Sequence, residues 1–274
     1  MAVTMKDIAH LRKMTGAGMM DCKSALTEAN NDFEKAVEII RKKGQIVAAK
    51  RSDREASEGC VLAMAKEGFA AIVALKCETD FVAKNADFVA LTQAILNEAM
   101  SSRPTDLSAL LAIQIEGRSI ADLITEKVGV TGEKMELGYY EYITAPSTIA
   151  YIHPGNKLAS LVGFNMENVE QQVAKNVAMQ VAAMNPLSLK KEDMPAELVE
   201  KELEIGREKA REEGKPEAML DKIAQGRLGK FFKENTLLEQ DYIDNAKVSV
   251  AKYMDEAQKG LTATSFKRFT LNAE

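Results

Sequence analysis

The sequence contains no tryptophan, and aromatic residues make up only 5% of its 274 positions. Base-stacking platforms for single-stranded nucleic acid depend on aromatic side chains, so that class of surface is disfavoured at once. A net charge of −5 likewise opposes broad binding to a phosphate backbone. The two histidines, His10 and His153, lie far apart, which leaves neither an HExxH helix nor a Cys/His zinc set. The three cysteines, Cys22, Cys60 and Cys77, have no CxxC spacing and read as reduced thiols of a cytoplasmic protein. There is no GxxxxGKS/T phosphate loop and no GxSxG elbow. The residues Met1-Ala2-Val3-Thr4 carry no apolar leader core, and no apolar run approaches the roughly 18 residues of a membrane span. No cofactor, metal or covalent chemistry is expected.

What is present is organised around Cys77-Glu78-Thr79-Asp80-Phe81-Val82-Ala83-Lys84-Asn85. Ahead of it, residues 68–77 are mostly small or β-branched and apolar, the pattern of a buried strand. Behind it, Phe88, Leu91, Ile95 and Leu96 recur on one face of a helix. The chain therefore turns from strand to helix at Thr79-Asp80, two residues whose short side chains suit an N-cap. Phe81 follows immediately. An aromatic ring at such a corner either packs back as a core anchor or points outward. Cys77 has no basic neighbour in sequence to activate it as a thiolate.

In chain order, Thr4 caps a helix to Met14 carrying Met5, Ile8, Leu11 and Met14 at helical spacing. After a Thr15-Gly16-Ala17-Gly18 turn, a second helix spans Met19 to Ala29. A third runs from Phe33 to Lys43, with Gly44 as its stop. One of Met19 and Met20 is expected buried and the other free for contact. Residues 45–58 read as a linker, helical in its first half. The expected fold is α+β: a ubiquitin-associated-like three-helix module (1–44), then a core of two β-hairpin-plus-helix halves (59–146, and 147–194 with 233–274). Val128-Gly129 reads as a helix end, and 135–143 as a strand leading into the second sheet. His153 sits at the second hairpin turn. Residues 195–232, dense in charge, read as an inserted antiparallel helical hairpin projecting into solvent. Its coiled-coil-like apolar seam is drawn from Leu198, Val199, Leu203, Ile205, Met219, Leu220, Ile223, Phe231 and Phe232.

Thr79-Asp80-Phe81-Val82-Ala83-Lys84-Asn85 resembles the signature of the bacterial elongation factor Ts family. So does Thr15-Gly16-Ala17-Gly18-Met19-Met20-Asp21-Cys22-Lys23. The resemblance implies a guanine-nucleotide exchange factor for elongation factor Tu, acting in translation without covalent chemistry of its own. It implies that Thr79, Asp80, Phe81 and Val82 disturb the Mg²⁺ site of the partner. Arg12, Met19, Met20, Lys23, Val128 and His153 would contact that partner. Stoichiometry stays open between one-to-one, a homodimer and a two-plus-two complex. Departures from the family pattern are a longer Pro154-Gly155-Asn156-Lys157 turn, Asn235 where an apolar residue is usual, and Asp241 where proline is common. The chain stops at Glu274, where many members continue into a further helical contact, so that contact is not expected. The readings left beside exchange are a non-catalytic adaptor using the three-helix module and the hairpin, and an enzyme built on Asp80 or Cys77.

Overall fold

A computed structural model describes residues 3–272. α1 (Met5–Thr15) opens under a capping box. Thr4 Oγ1 accepts from the Asp7 N–H at 3.2 Å, and the Asp7 carboxylate accepts from the Thr4 N–H at 2.9 Å. α2 (Met19–Glu28) buries Cys22, Ala25 and Leu26, and α3 (Phe33–Lys50) starts on the Asp32 cap. Ile8, Leu11, Cys22, Leu26 and Ala36 form the small core of the three helices. Met5 and Met14, on the expected apolar face of α1, are exposed.

β1 (Glu58–Lys66) and β2 (Phe69–Cys77) form a hairpin around Glu67-Gly68, both at positive φ, the backbone that a tight two-residue hairpin requires. One turn of helix, α4 (Asp80–Ala83), is followed by a separately capped helix, α5 (Ala86–Ser102), which starts on Asn85. The corner is thus two helices rather than one, and Phe81 belongs to the short one. Next come α6 (Leu107–Ala112), the small ladder of β3 (Gln114–Ile115) and β4 (Arg118–Ser119), α7 (Ile120–Thr131) and β5 (Met135–Thr144). β5 lies beside β2, giving the order β1-β2-β5, so it completes the first sheet instead of leading into the second.

Two expectations about glycine fail for one reason. α3 passes through Gly44 to Lys50, and α7 passes through Gly129 to a left-handed cap at Gly132 (φ 73°). Gly44 and Gly129 are not stops. They face one another where the helices cross: a Cβ on Gly129 would lie 2.6 Å from the Gly44 Cα. At Gly129 two backbones meet too closely for a Cβ, whereas a Cβ on Gly44 would find contacts of 3.4–3.5 Å.

The second sheet repeats the plan of the first. β6 (Ser147–Ile152) and β7 (Leu158–Phe164) pair antiparallel in the register Ser147–Phe164 to Ile152–Ala159. α8 (Gln171–Met184) follows and is tied to β7 by the Ser160 hydroxyl, which donates to the Ala178 carbonyl at 2.7 Å. The chain then passes through α9 (Ala196–Glu212), α10 (Leu220–Asn235), the short pair β8 (Asp241–Tyr242) and β9 (Asn245–Ser249), and α11 (Val250–Ala257). β10 (Ala263–Thr270) pairs antiparallel with β7, giving the order β6-β7-β10. In both sheets the second hairpin strand is central and the third strand arrives after the helix. Val162, Phe164, Val177, Val181, Leu237 and Met254 fill the core of this part.

α9 and α10 are antiparallel, and their seam is narrower than the sequence suggested. Gly206, Ala210, Leu220, Ala224 and Leu228 are buried, while Leu198, Val199, Leu203 and Ile223 are only half-buried. A Cβ on Gly206 would meet the Ala224 Cβ at 3.2 Å. Ion pairs Arg207–Asp221 and Arg227–Glu213, each at 2.6 Å, flank the seam.

The chain divides into two compact units. The first holds the residues up to Leu62 together with Val73–Glu141, and the second holds Ala63–Ile72 and Tyr142–Thr270. Among the described residues, no helix is long and apolar enough to cross a membrane.

Candidate functional site

Phe81 is 85% exposed. The core-anchor alternative for this ring is therefore excluded. A large apolar side chain held in water at that level is unusual unless its backbone is fixed for another purpose.

The corner is fixed from three sides. Thr79, not Asp80, is the N-cap of α4. Its Oγ1 accepts from the Val82 N–H at 3.4 Å and donates to Glu133 Oε1 at 2.6 Å. The Thr79 N–H donates to the other oxygen of Glu133 at 3.0 Å. Asp80 occupies the first helical position, where its charge favours the positive end of the helix, and its carboxylate meets Lys84 Nζ at 2.6 Å. Just before the corner, Glu78 accepts from the Lys134 N–H at 2.6 Å and from Arg54 at 2.8 Å, with Arg51 at 3.7 Å. Lys134 Nζ closes the loop by donating to the Arg54 carbonyl at 2.9 Å. These bonds hold the Glu78 carboxyl below its ordinary value, the Lys134 N–H first and the Arg54 guanidinium second.

Beneath the corner, the Cys77 thiol donates to the Thr79 carbonyl at 3.2 Å. Burial pushes its pKa up to about 12, and the nearby Glu133 charge acts in the same sense. That is the opposite of an activated nucleophile, so the reading of Cys77 as an enzyme's thiolate is dropped. Among the described residues, no group of three or more His, Cys, Asp or Glu side chains is arranged to hold a metal ion.

The remaining predicted contacts are distributed. Arg12, Met19, Met20 and Lys23 are all exposed around the α1–α2 turn. Met19 is 40% and Met20 72% exposed, so neither is the buried member of a pair. The reason is that Ala17 and Cys22, on either side of them, already fill the core at this point. Val128 is a correction: it is 3% exposed, in the interior of α7, and offers no surface to a partner. His153, in the second unit, is exposed at the β6–β7 turn, its Nδ1 3.0 Å from the Tyr151 hydroxyl.

Sequence reasoning missed Glu133, Lys134, Arg51 and Arg54 at the corner. The two arginines were assigned to a linker. Glu133 and Lys134 lie more than fifty residues after Thr79, and their only local signal is the glycine at 132 that ends α7.

The corner thus presents one exposed apolar ring on a polar, cross-braced backbone. A family model described as Elongation factor TS matches residues 78–273, which include Glu78, the Thr79-Asp80-Phe81-Val82 turn and Glu133. Elongation factor Ts of Porphyromonas gingivalis is 62% identical over 275 positions, covering all of both chains. Those of Azobacteroides pseudotrichonymphae and Amoebophilus asiaticus are 55% and 48% identical, again over the whole of both chains. The chain belongs to the elongation factor Ts family.

Proposed function

We propose that this protein binds the GDP form of elongation factor Tu in the cytoplasm and promotes release of the nucleotide during translation. Phe81 is the element inserted into the partner, and Thr79, Asp80 and Val82 form the turn that delivers it. GTPases hold nucleotide through Mg²⁺ and a loop of backbone N–H groups. A ring wedged beside that site displaces Mg²⁺ and distorts the loop. The single observation that carries this reading is the 85% exposure of Phe81 on a braced corner.

Exchange obeys linkage: a factor that favours the nucleotide-free partner weakens nucleotide binding by the same coupling free energy. Accelerating release about 10⁴-fold means lowering a barrier by about 5.5 kcal/mol. Burying one phenylalanine contributes about 1.5–3 kcal/mol. The rest comes from docking at other surfaces, for which exposed Arg12, Met19, Met20, Lys23 and His153 are the proposed contacts. Val128, being buried, is not among them.

The test is Phe81→Ala with fluorescent GDP on elongation factor Tu. The unfolding midpoint of the variant should stay within about 0.5 kcal/mol of the parent, since almost no contact is lost. Maximal GDP release at saturating factor should fall at least tenfold, the factor that corresponds to about 1.4 kcal/mol of transition-state stabilisation. Normal release by the folded variant would remove the wedge. No acceleration by the parent protein would favour a non-catalytic adaptor.

A further inference from the structure

Thr79 at the corner is tied to a distant part of the first unit by the carboxylate of Glu133, beside the Glu78 bond to the Lys134 N–H, and the Thr79 tie has a function of its own. We propose that Glu133 is a positioning residue for exchange: it locks Thr79 and thereby the direction in which Phe81 points. The inference rests on the wedge reading above and goes beyond it by naming what aims the wedge.

The geometry is specific. Both oxygens of Glu133 are committed to one residue, Oε2 to the Thr79 N–H at 3.0 Å and Oε1 to the Thr79 hydroxyl at 2.6 Å. The hydroxyl proton is therefore spent on Glu133, which leaves a lone pair of Oγ1 to accept the Val82 N–H. The Thr79 rotamer is thus fixed by a charge-assisted bond on one side and by the helix start on the other. Val82 is the residue next to Phe81. Without the carboxylate, the hydroxyl is free to rotate, and the only side-chain cap of α4, one turn long, is the 3.4 Å bond from the Val82 N–H beside the backbone bond of the Ala83 N–H to the Thr79 carbonyl at 3.1 Å.

The other end of the tie is equally constrained. Glu133 follows the left-handed cap Gly132, its own N–H donates to Thr131 Oγ1 at 3.3 Å, and its neighbour Lys134 is gripped by Glu78. α7 in turn touches α3 backbone to backbone at Gly129 and Gly44. A continuous path of short contacts therefore runs from α3 through α7 and Glu133 to Thr79 and the wedge. Docking through the first three helices and insertion of Phe81 become one rigid event instead of two independent ones. Loss of preorganisation then appears in the rate of exchange and not in the strength of docking.

The experiment compares Glu133→Ala, Glu133→Gln, Phe81→Ala and the double variant Phe81→Ala/Glu133→Ala. Concentration-dependent GDP release from elongation factor Tu separates the maximal rate from the half-saturating concentration. Glu133→Ala should lower the maximal rate about tenfold with a half-saturation change under about twofold. Glu133→Gln can still accept one of the two bonds, so its rate should lie between. In the double variant the Glu133 change should have no further effect, because there is no ring left to aim. Amide hydrogen exchange at Val82 and Ala83 should speed up in Glu133→Ala while the α5 amides stay protected.

A maximal rate equal to the parent's in folded Glu133→Ala would overturn the inference. So would a further loss in the double variant, or a change in half-saturation alone. If Glu133→Ala does not fold, Glu133→Gln carries the same test: a parental maximal rate together with parental Val82 exchange would overturn it. If Phe81→Ala itself exchanges normally, the wedge is wrong and Glu133 has nothing to position. That result differs from one in which Phe81→Ala is slow and Glu133→Ala is not.

Discussion

Replacing Gly129 with alanine should destabilise the protein, while the same change at Gly44, its partner in the crossing, should not. Alanine in a helix interior is favoured over glycine by about 1 kcal/mol at either position. The space differs. At Gly129 the new Cβ would sit 2.6 Å from the Gly44 Cα and 3.4 Å from its N. Carbon atoms rest about 3.5–4.0 Å apart, so the helices must separate by roughly 1 Å, and no rotamer can relieve a clash with backbone. Overpacking of this kind costs about 1–3 kcal/mol, and a backbone neighbour places it at the upper end. After the helix gain, a net loss of about 1–2 kcal/mol remains. At Gly44 the new Cβ meets the Thr125 carbonyl at 3.4 Å and the Gly129 Cα at 3.5 Å, which is ordinary contact. Gly44→Ala should therefore be neutral or stabilising by up to about 1 kcal/mol. Urea unfolding followed by circular dichroism reads both shifts. A Gly129→Ala midpoint at or above that of Gly44→Ala would refute the backbone-contact explanation for Gly129.

Thr79→Ala removes the α4 cap and should cost about 1–2 kcal/mol, whereas Thr79→Ser, which keeps the hydroxyl, should be close to the parent in the same unfolding assay. The three thiols are buried, so a thiol reagent at pH 8 should label none of them in the native protein and all three after denaturation. Fast native labelling of Cys77 would contradict its raised pKa. The Glu78 carboxyl is held below its ordinary value of 4.5 by the folded structure. Its contribution is present above that value and is lost as pH falls through the lower folded one. Glu78→Gln should accordingly flatten the acid limb of a stability–pH curve below about pH 4.5, and an unchanged limb would show that the Arg54 and Lys134 contacts do not form in solution.

Much of the fold was legible because its local signals agree with its tertiary ones. The Thr4 cap, the apolar run over 68–77 and the helical spacing of Phe88, Leu91, Ile95 and Leu96 each need only a few neighbouring residues, and each element forms where they place it. What was misjudged depends on distant partners. Gly44 and Gly129 have the composition of helix stops, and only the crossing of two helices 85 positions apart explains them (129 − 44 = 85). The candidate site divides in the same way. Phe81 was visible as an aromatic beside a cap, with two possible orientations. What fixes its backbone was not visible, because Glu133 joins Thr79 across a loop that no periodicity records. Val128 illustrates the converse: the resemblance offers it as a contact, and only the fold shows that the residue is buried.

The shared plan of the two sheets has a consequence for the protein during its own synthesis. In each sheet the central strand is made early and its outer neighbour late. β2 waits through α4–α7 for β5, and β7 waits through α8–α11 for β10. Until β10, at Ala263–Thr270, leaves the ribosome, one flank of β7 has a bare row of backbone donors and acceptors. β7 is also among the most apolar segments of the chain, with Ala159, Leu161, Val162 and Phe164 all destined for the interior. The nascent chain therefore carries an adhesive ribbon for most of the time its second half is being translated. The intervening α9 and α10, which are dense in charge, are in place before that ribbon is closed. They add charge to the nascent chain at the stage when that strand is most able to pair with a neighbouring chain.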